Sequence, residues 1–380
     1  MGHNGDSNDI RGAVIAQPAD AVKIAATPPA PTAVAAFVGA LASGPANIAV
    51  HLEDFGAFEA VFGTEGQALP TALAVRQFFE NGGRETYVVR SVDGDAGSRA
   101  FRSLHQGIYA LEEVELFNLL CLPGVADSGV LTAAEGYCRD RGALLLGDAP
   151  LRAETAAQLL SALSDWPRSS HAAVFHPWIY VENAAGKRQL APPCGSIAGM
   201  LARNDLARGV WKAPAGGQAR LENVRALHAE IGEIEAGRLA QAGVNCLRMA
   251  SSLGAVCWSA RTLHPADRPM PELAQIPVRR MANFLEDSLV PALEWTRFER
   301  NDATLWAHIA AQAEEFMHGL FTAGAFQGAS EAEAYAVRCG TDTIRSEDLS
   351  QGRVGIELRF APLAPAQFVN VRIHCLAEAR

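Results

Sequence analysis

Residues 279–302, RRMANFLEDSLVPALEWTRFERND, and residues 367–376, QFVNVRIHCL, frame the C-terminal part of this chain. In the first, Met281, Phe284, Leu285 and Leu289 recur at i, i+3, i+4 and i+8, so they share one face of an amphipathic helix. Trp295 and Phe298 flank a short extended piece, and Asn301 or Asp302 caps a second, longer helix. That helix carries Leu305, Trp306, Ile309, Phe316, Met317, Leu320 and Phe321 on one side and ends at Gly324. Ser330 and Glu333 have capping-box spacing. Three strand-like segments follow: Tyr335–Cys339, Val354–Phe360 and Gln367–Leu376. In the last, Val369, Val371, Ile373 and Cys375 alternate with Asn370, Arg372 and His374. This strand follows a linker, Ala361–Pro365, and two pairings are open to it. Spacing alone favours its own domain, because a sheet commonly ties down a chain terminus. The other is addition to the sheet edge of a second subunit.

Working outward, the N-terminal stretch has one strand-like run, Ile10–Ala16, which includes Val14 and Ile15. The sequence Thr27-Pro28-Pro29-Ala30-Pro31 separates it from everything downstream, so it reads as an arm, either a tail or a donated strand. Val34–Ala40 is an apolar strand. Two helices follow, one with Phe55, Phe58, Val61 and Phe62, the other with Leu69, Leu73, Phe78 and Phe79, and Thr86–Val92 is strand again, a βαβ unit. The alternation continues after Phe101 with strands at Leu116–Leu122, Ala143–Gly147 and His171–Val181 and helices at Leu131–Arg141 and Glu154–Ser164. Ala184–Arg188 reads as a hairpin tip. Pro192–Ser196 opens a helix to about Arg203, and Val244–Arg248 and Gly254–Leu263 are extended. Pro265–Pro277, with four prolines, reads as the interdomain linker. Such alternation predicts a largely parallel sheet with helices on both faces.

At 380 residues the chain has room for two or three domains of roughly 100–200 residues each. A hydrophobic content of 49% supplies large cores, and a net charge of -10 argues against nonspecific nucleic-acid binding. Met1–Asp9 has no charged-then-apolar leader pattern, and no apolar run reaches the roughly 18 residues a bilayer span needs. The seven cysteines are odd in number and scattered, which suits reduced core thiols of a protein made in the cytosol.

Chemistry is hard to find in this sequence. Neither GxGxxG nor GxxxxGK[ST] is present, so no phosphate loop is expected. A triad of Ser196, His171 or His176, and Asp148 would make the chain an α/β serine hydrolase. Yet Gly195-Ser196-Ile197-Ala198-Gly199 is not the GxSxG elbow, and helix initiation explains Ser196. There is no CxxC or HExxH. His171 and His176, five apart in an extended run, face opposite ways, and His308 and His318 are ten residues apart on one helix. The expectation is no catalytic, cofactor-binding or metal site.

Specific strings carry more than periodicity. PPCGSIAGMLARNDLARGVWKAPA (192–215) resembles the PPSG…AG…AR.D..RGVWKAPA segment of contractile tail sheath proteins. FFENGGRETYVVR (78–90), with Thr32–Gly39 and Phe55–Gly63 before it, is similar to the first βαβ unit of that family. VNCLRMASSLGAVCWSARTL (244–263) is similar to its "IN…G…VWGARTL" stretch. Arg279–Phe368 resembles its C-terminal domain through RRMANFLEDSL, FERNDATLW, GAFQGASEAEAYAVRC and APLAPAQFV. The likeness runs from residue 30 almost to the end, in four ordered motifs. Cys194 stands where serine is usual, Ser259 where glycine is, and Ser251-Ser252-Leu253 where the family is often richer in Gly and Pro. No large outer insertion domain is present, as in compact bacteriocin-like and extracellular contractile injection particles.

The resemblance implies an α/β and α+β architecture: a 1–31 N-terminal arm and linker; a 32–270 α/β outer domain, subtilisin-like in outline; a 271–360 inner domain facing a tube; and a 361–380 linker and arm strand. It implies a subunit made in the bacterial cytoplasm. That subunit polymerises as stacked rings around an inner tube protein, meets baseplate and tail-terminator or cap proteins, and neither binds nucleic acid nor inserts into membrane. Contraction of the sheath then drives the tube through a target envelope. Under this resemblance Ile10–Ala16 (Val14, Ile15) and Gln367–Leu376 (Phe368, Val369, Val371, Ile373) become the intersubunit strands. Arg279, Arg280, Arg297 and Arg300 become candidate tube contacts, because the C-terminal domain supplies the inner layer.

Overall fold

β1 (Ala35–Ala40) sends Ala36 and Val38 into one hydrophobic core and Ala35 and Phe37 into another, as a strand covered on both faces must. The computed structural model of the chain describes residues 26–91, 106–183, 186–214, 216–265, 267–365 and 367–378. The expected arm strand Ile10–Ala16, with Val14 and Ile15, lies outside the described residues.

The chain continues through β2 (Ala49–Leu52), α1 (Phe55–Phe62), α2 (Pro70–Glu80), β3 (Thr86–Ser91), β4 (Leu119–Cys121), α3 (Ser128–Asp140), β5 (Leu144–Asp148), α4 (Ala156–Ala162) and β6 (Ala172–His176). After β7 (Ile179–Glu182) and β8 (Arg188–Ala191) come α5 (Cys194–Arg208), β9 (Val224–Leu227), α6 (Glu233–Gln241), β10 (Val244–Ala250) and β11 (Gly254–Cys257). Eight strands form one sheet in the order β11-β10-β6-β5-β4-β1-β3-β2. Its interior pairs are all parallel, and the two edge strands, β2 and β11, run antiparallel to their neighbours. One face is covered by α3, α4 and α6, the other by α1, α2 and α5.

The expected single strand His171–Val181 is two. Pro177 has no N–H to give a ladder, so β6 stops at His176. β7 then joins a separate three-stranded sheet, β8-β7-β9.

The remainder holds α7 (Ile276–Ala292), α8 (Ala303–Thr322), α9 (Glu331–Ala334), β12 (Tyr335–Cys339), α10 (Ser346–Ser350), β13 (Arg353–Phe360) and β14 (Val369–Leu376). The apolar stripe Met281, Phe284, Leu285 and Leu289 is buried against α8 and an antiparallel sheet β12-β13-β14. Asp302 is the N-cap of α8, its carboxylate accepting from Thr304 N and Leu305 N, while Asn301 accepts from Trp306 Nε1 instead. Between the helices, Glu294–Phe298 is a 3-10 turn rather than an extended piece. Buried Thr296 holds it by donating to Leu293 O and Leu376 O. Ser330 stands at the N-cap of α9 without a side-chain cap, so the expected capping box is incomplete. The polypeptide is thus mixed α/β and α+β.

Candidate assembly interface

The residues with catalytic chemistry are not brought together. Ser196 is fully buried and donates to Gln77 Oε1 at 3.0 Å. Asp148 accepts from Cys194 N at 2.8 Å and Gly124 N at 3.0 Å, and its burial raises its pKa to about 6. His171 Nδ1 lies 3.0 Å from Ala143 O. Burial, then the Arg279 charge, lowers its pKa to about 4. Buried His176 has no hydrogen-bond partner at Nε2. Among the described residues, no cluster of three or more His, Cys, Asp or Glu side chains is placed to hold a metal ion, and no helix is long and apolar enough to cross a membrane. The serine-hydrolase alternative has no support.

The 192–215 segment is built for packing. A Cβ on Gly195 would lie 2.0 Å from Ala74 O, and one on Gly199 would lie 2.3 Å from Phe78 O. Two glycines one turn apart therefore let α5 press its backbone onto the matching turn of α2. Beyond them Arg203 donates to Asn81 O, Gln218 O and Arg220 O, pinning the loop that leads to β9. Gly209, at φ 87°, turns the chain out of α5, and Val210 and Trp211 enter the core of the C-terminal part. Of the departures from the family strings, Cys194 is a buried helix start. Ser259 donates to Asn245 Oδ1 at 3.1 Å.

Asp205, on the last turn of α5, forms the central contact. Arg280 on α7 grips it through both guanidinium nitrogens, at 3.0 and 2.5 Å, with side-chain exposures of 4% and 5%. Thr32 joins them, its hydroxyl donating to Asp205 Oδ2 at 2.8 Å and its carbonyl accepting from Arg280 at 2.7 Å. Charge, hydroxyl and carbonyl satisfy one another, which a buried ion pair requires.

A second polar seam lies on the same helix. Asn118 donates to Asp287 Oδ2 at 3.2 Å, and Arg279 stands 3.7 Å from Glu286. Burial and the neighbouring Glu286 raise the Asp287 pKa to about 7, against the opposing pull of Asn118, Arg279 and Arg141.

These contacts place Arg279 and Arg280, two of the four candidate tube contacts, in the interior of the subunit. Both are buried: Arg280 pairs with Asp205 on α5, and Arg279 lies beside Glu286 of its own helix. Arg297 and Arg300 are exposed, on either side of Phe298, itself 87% exposed. β14 pairs with β13 over eight residues, Val371 opposite Leu358 and Ile373 opposite Ile356, so Val369, Val371 and Ile373 are buried in the chain's own core. That is the first of the two pairings the sequence left open. Phe368, just before it, lies under the Arg359 guanidinium at 4.8 Å.

The expected linker up to residue 31 is also partly strapped down. Gln312 on α8 donates to Thr27 Oγ1 at 3.2 Å, and Ala30 N donates to Ser288 Oγ on α7 at 3.0 Å. Nothing in the periodicity marks Thr27, Ala30, Thr32, Asp205 or Asp287, since their partners lie far away in sequence.

No protein-family profile matches the chain, and no curated protein is similar to it at a significant level. Solved structures are. The helical sheath of the anti-feeding prophage (AFP) in the contracted state is 26% identical with a TM-score of 0.73, covering 96% of this chain and 98% of that one. The PVC sheath complex of an extracellular contractile injection system, also contracted, is 24% identical with a TM-score of 0.76 over 96% of this chain and 97% of that one. A sheath tail protein from Desulfitobacterium hafniense shares the fold at 11% identity, with a TM-score of 0.64 over 98% of this chain and all of its own, 100%.

Asp205→Ala leaves the Arg280 charge buried and unpaired. It should lower unfolding free energy by about 3–5 kcal/mol in chemical denaturation. Asp287 gives a pH signature. Its folded pKa lies above its unfolded value, so its stabilising contribution is complete below about pH 4 and is lost as pH rises through about 7. The Asp287 contribution is read against Asp287→Asn, which keeps an acceptor for Asn118: between pH 4 and pH 7 the denaturation midpoint of wild type should fall relative to that of the variant.

Proposed function

We propose, from the premise that this chain is a contractile sheath protein, that it polymerises around an inner tube and contracts to drive the tube through a target envelope. The observation that carries this is the end-to-end likeness to the AFP helical sheath at 26% identity. The eight-stranded domain, subtilisin-like in outline, forms the outer layer, and the α7–α8 domain with its small sheet forms the inner one. Baseplate and tail-terminator or cap proteins close the two ends. The subunit does no catalysis and takes no cofactor. It stores energy as a metastable lattice and releases it into closer contact between subunits.

Neighbours are linked by exchange of terminal strands. β14 satisfies its own domain here, and the same register is available in a neighbour, so exchange conserves the hydrogen bonds and the buried Val369, Val371 and Ile373. The preceding segment from Ala361 is the hinge. Ile10–Ala16, with Val14 and Ile15, is the second exchanged strand. Arg297 and Arg300 are the tube contacts that remain once Arg279 and Arg280 are withdrawn.

A disulfide between Arg359→Cys and Asn370→Cys, directly opposite in the β13–β14 register, locks the strand at home. The oxidised protein should stay monomeric beside co-expressed tube, and reduction should restore striated sheaths in negative-stain electron microscopy. Sheaths from the oxidised protein would rule out exchange of β14. Arg297→Glu/Arg300→Glu should keep wild-type stability within about 0.5 kcal/mol, as exposed positions do, yet lose tube co-sedimentation. Normal tube-bound particles would remove the two arginines from the tube contact.

A further inference from the structure

The alternation that buries Val369, Val371 and Ile373 turns Asn370, Arg372 and His374 to the open face of the small sheet. Across the ladder, Arg338, Glu357 and Arg372 lie side by side, and Arg359 sits opposite Asn370. Arg353 lies at the end of the same face. Asp342 neutralises part of Arg338 at 3.9 Å and Asp348 part of Arg353 at 3.6 Å. Arg372 donates to the Thr343 carbonyl with Glu357 across the ladder, and Arg359 stacks on the Phe368 ring; among the described residues neither is in an ion pair, so both offer charge to a partner. Partial burial first, then the charges of Arg372, Arg353 and Arg345 against the opposing Asp348, lower the His374 pKa.

Around the edge of β12 the sign reverses. A groove of about 560 Å³ between α8 and β12 is lined by Glu314, Glu315 and Glu331, with His318 the single counter-group, 3.1 Å from Glu331. Burial, then Glu331 and Glu314, raises the Tyr335 pKa to about 12. We propose that the arginine face of the small sheet docks into this acidic groove of a second copy, a head-to-tail contact between inner domains. Both complementary halves are on one chain whose net charge is -10, so the cationic face finds its match on another copy of itself. The two surfaces differ, so the contact is heterologous and propagates instead of closing as a twofold dimer. It deepens the sheath reading by adding a salt-sensitive joint beside strand exchange.

Neutralising one half at a time isolates a single contact. The variant Arg359→Gln/Arg372→Gln keeps the groove and loses the face; Glu314→Gln/Glu315→Gln keeps the face and loses the groove. All four positions are on the surface, and matching thermal unfolding of both full-length variants with wild type establishes that they are folded. In analytical ultracentrifugation the mixture should form a 1:1 species at 50 mM NaCl that neither variant forms alone. Its affinity should weaken by at least about ten-fold at 500 mM NaCl, as screening requires. A mixture that sediments as the two separate variants, or an association indifferent to salt, overturns the proposal. Striated sheaths around co-expressed tube by the wild-type chain would still uphold the sheath reading in that case. Absence of sheaths beside a measured 1:1 contact would count against the sheath reading alone.

Discussion

The buried pair Asp205–Arg280, closed by Thr32, is the contact on which the arrangement of the chain depends. It joins the end of α5, the start of α7 and the segment that leads into β1, which are 75 and 173 residues from Asp205 in sequence. Asp205 and Thr32 belong to the eight-stranded part and Arg280 to the C-terminal part. Removing Asp205 or Arg280 leaves its partner charge buried and unpaired, and Thr32 adds a hydroxyl and a carbonyl to the same pair, so the three segments are tied together. Val210 and Trp211, delivered by the Gly209 turn, add apolar weight to the same junction. On the proposed sheath reading, a stiff junction within the subunit would confine movement to the contacts between subunits.

Much of the fold is legible in the sequence because its strands and helices are regular. The stripe through Met281 and Leu289 and the alternation through Val369 and Cys375 follow directly from their periods. The break at Pro177 was legible too, from the missing N–H, yet an apolar run on both sides of it reads as one strand. The Glu294–Phe298 turn was not legible, because it depends on Thr296 reaching Leu376, 80 residues away. The same distinction separates the arginines. Four basic residues look alike in sequence, whereas the structure buries Arg280 against Asp205, 75 residues away, and Arg279 beside Glu286 of its own helix, and leaves Arg297 and Arg300 exposed. For Arg280 the partner is distant in sequence, and no local pattern encodes it.

The signature strings owe their residue types to contact distance rather than to reactivity. Gly195 and Gly199 are required where two helix backbones touch, and Ser196 between them is sealed against Gln77. A serine flanked by glycines in an α/β protein invites an enzymatic reading. Here the glycines are spaced for one helical turn, and the hydroxyl has no path to solvent.

The strap at Thr27 and Ala30 changes the length of the N-terminal leash. With Thr27 held by Gln312 and Ala30 by Ser288, the proposed Ile10–Ala16 exchange strand would be joined to the body of the subunit by residues 17–26 rather than 17–31. Fully extended, ten residues span about 35 Å. On the strand-exchange reading, that leash is a ruler. It fixes the greatest distance between a subunit's α8 and the neighbouring sheet that receives its arm, and so limits how far the lattice can be drawn out before contraction.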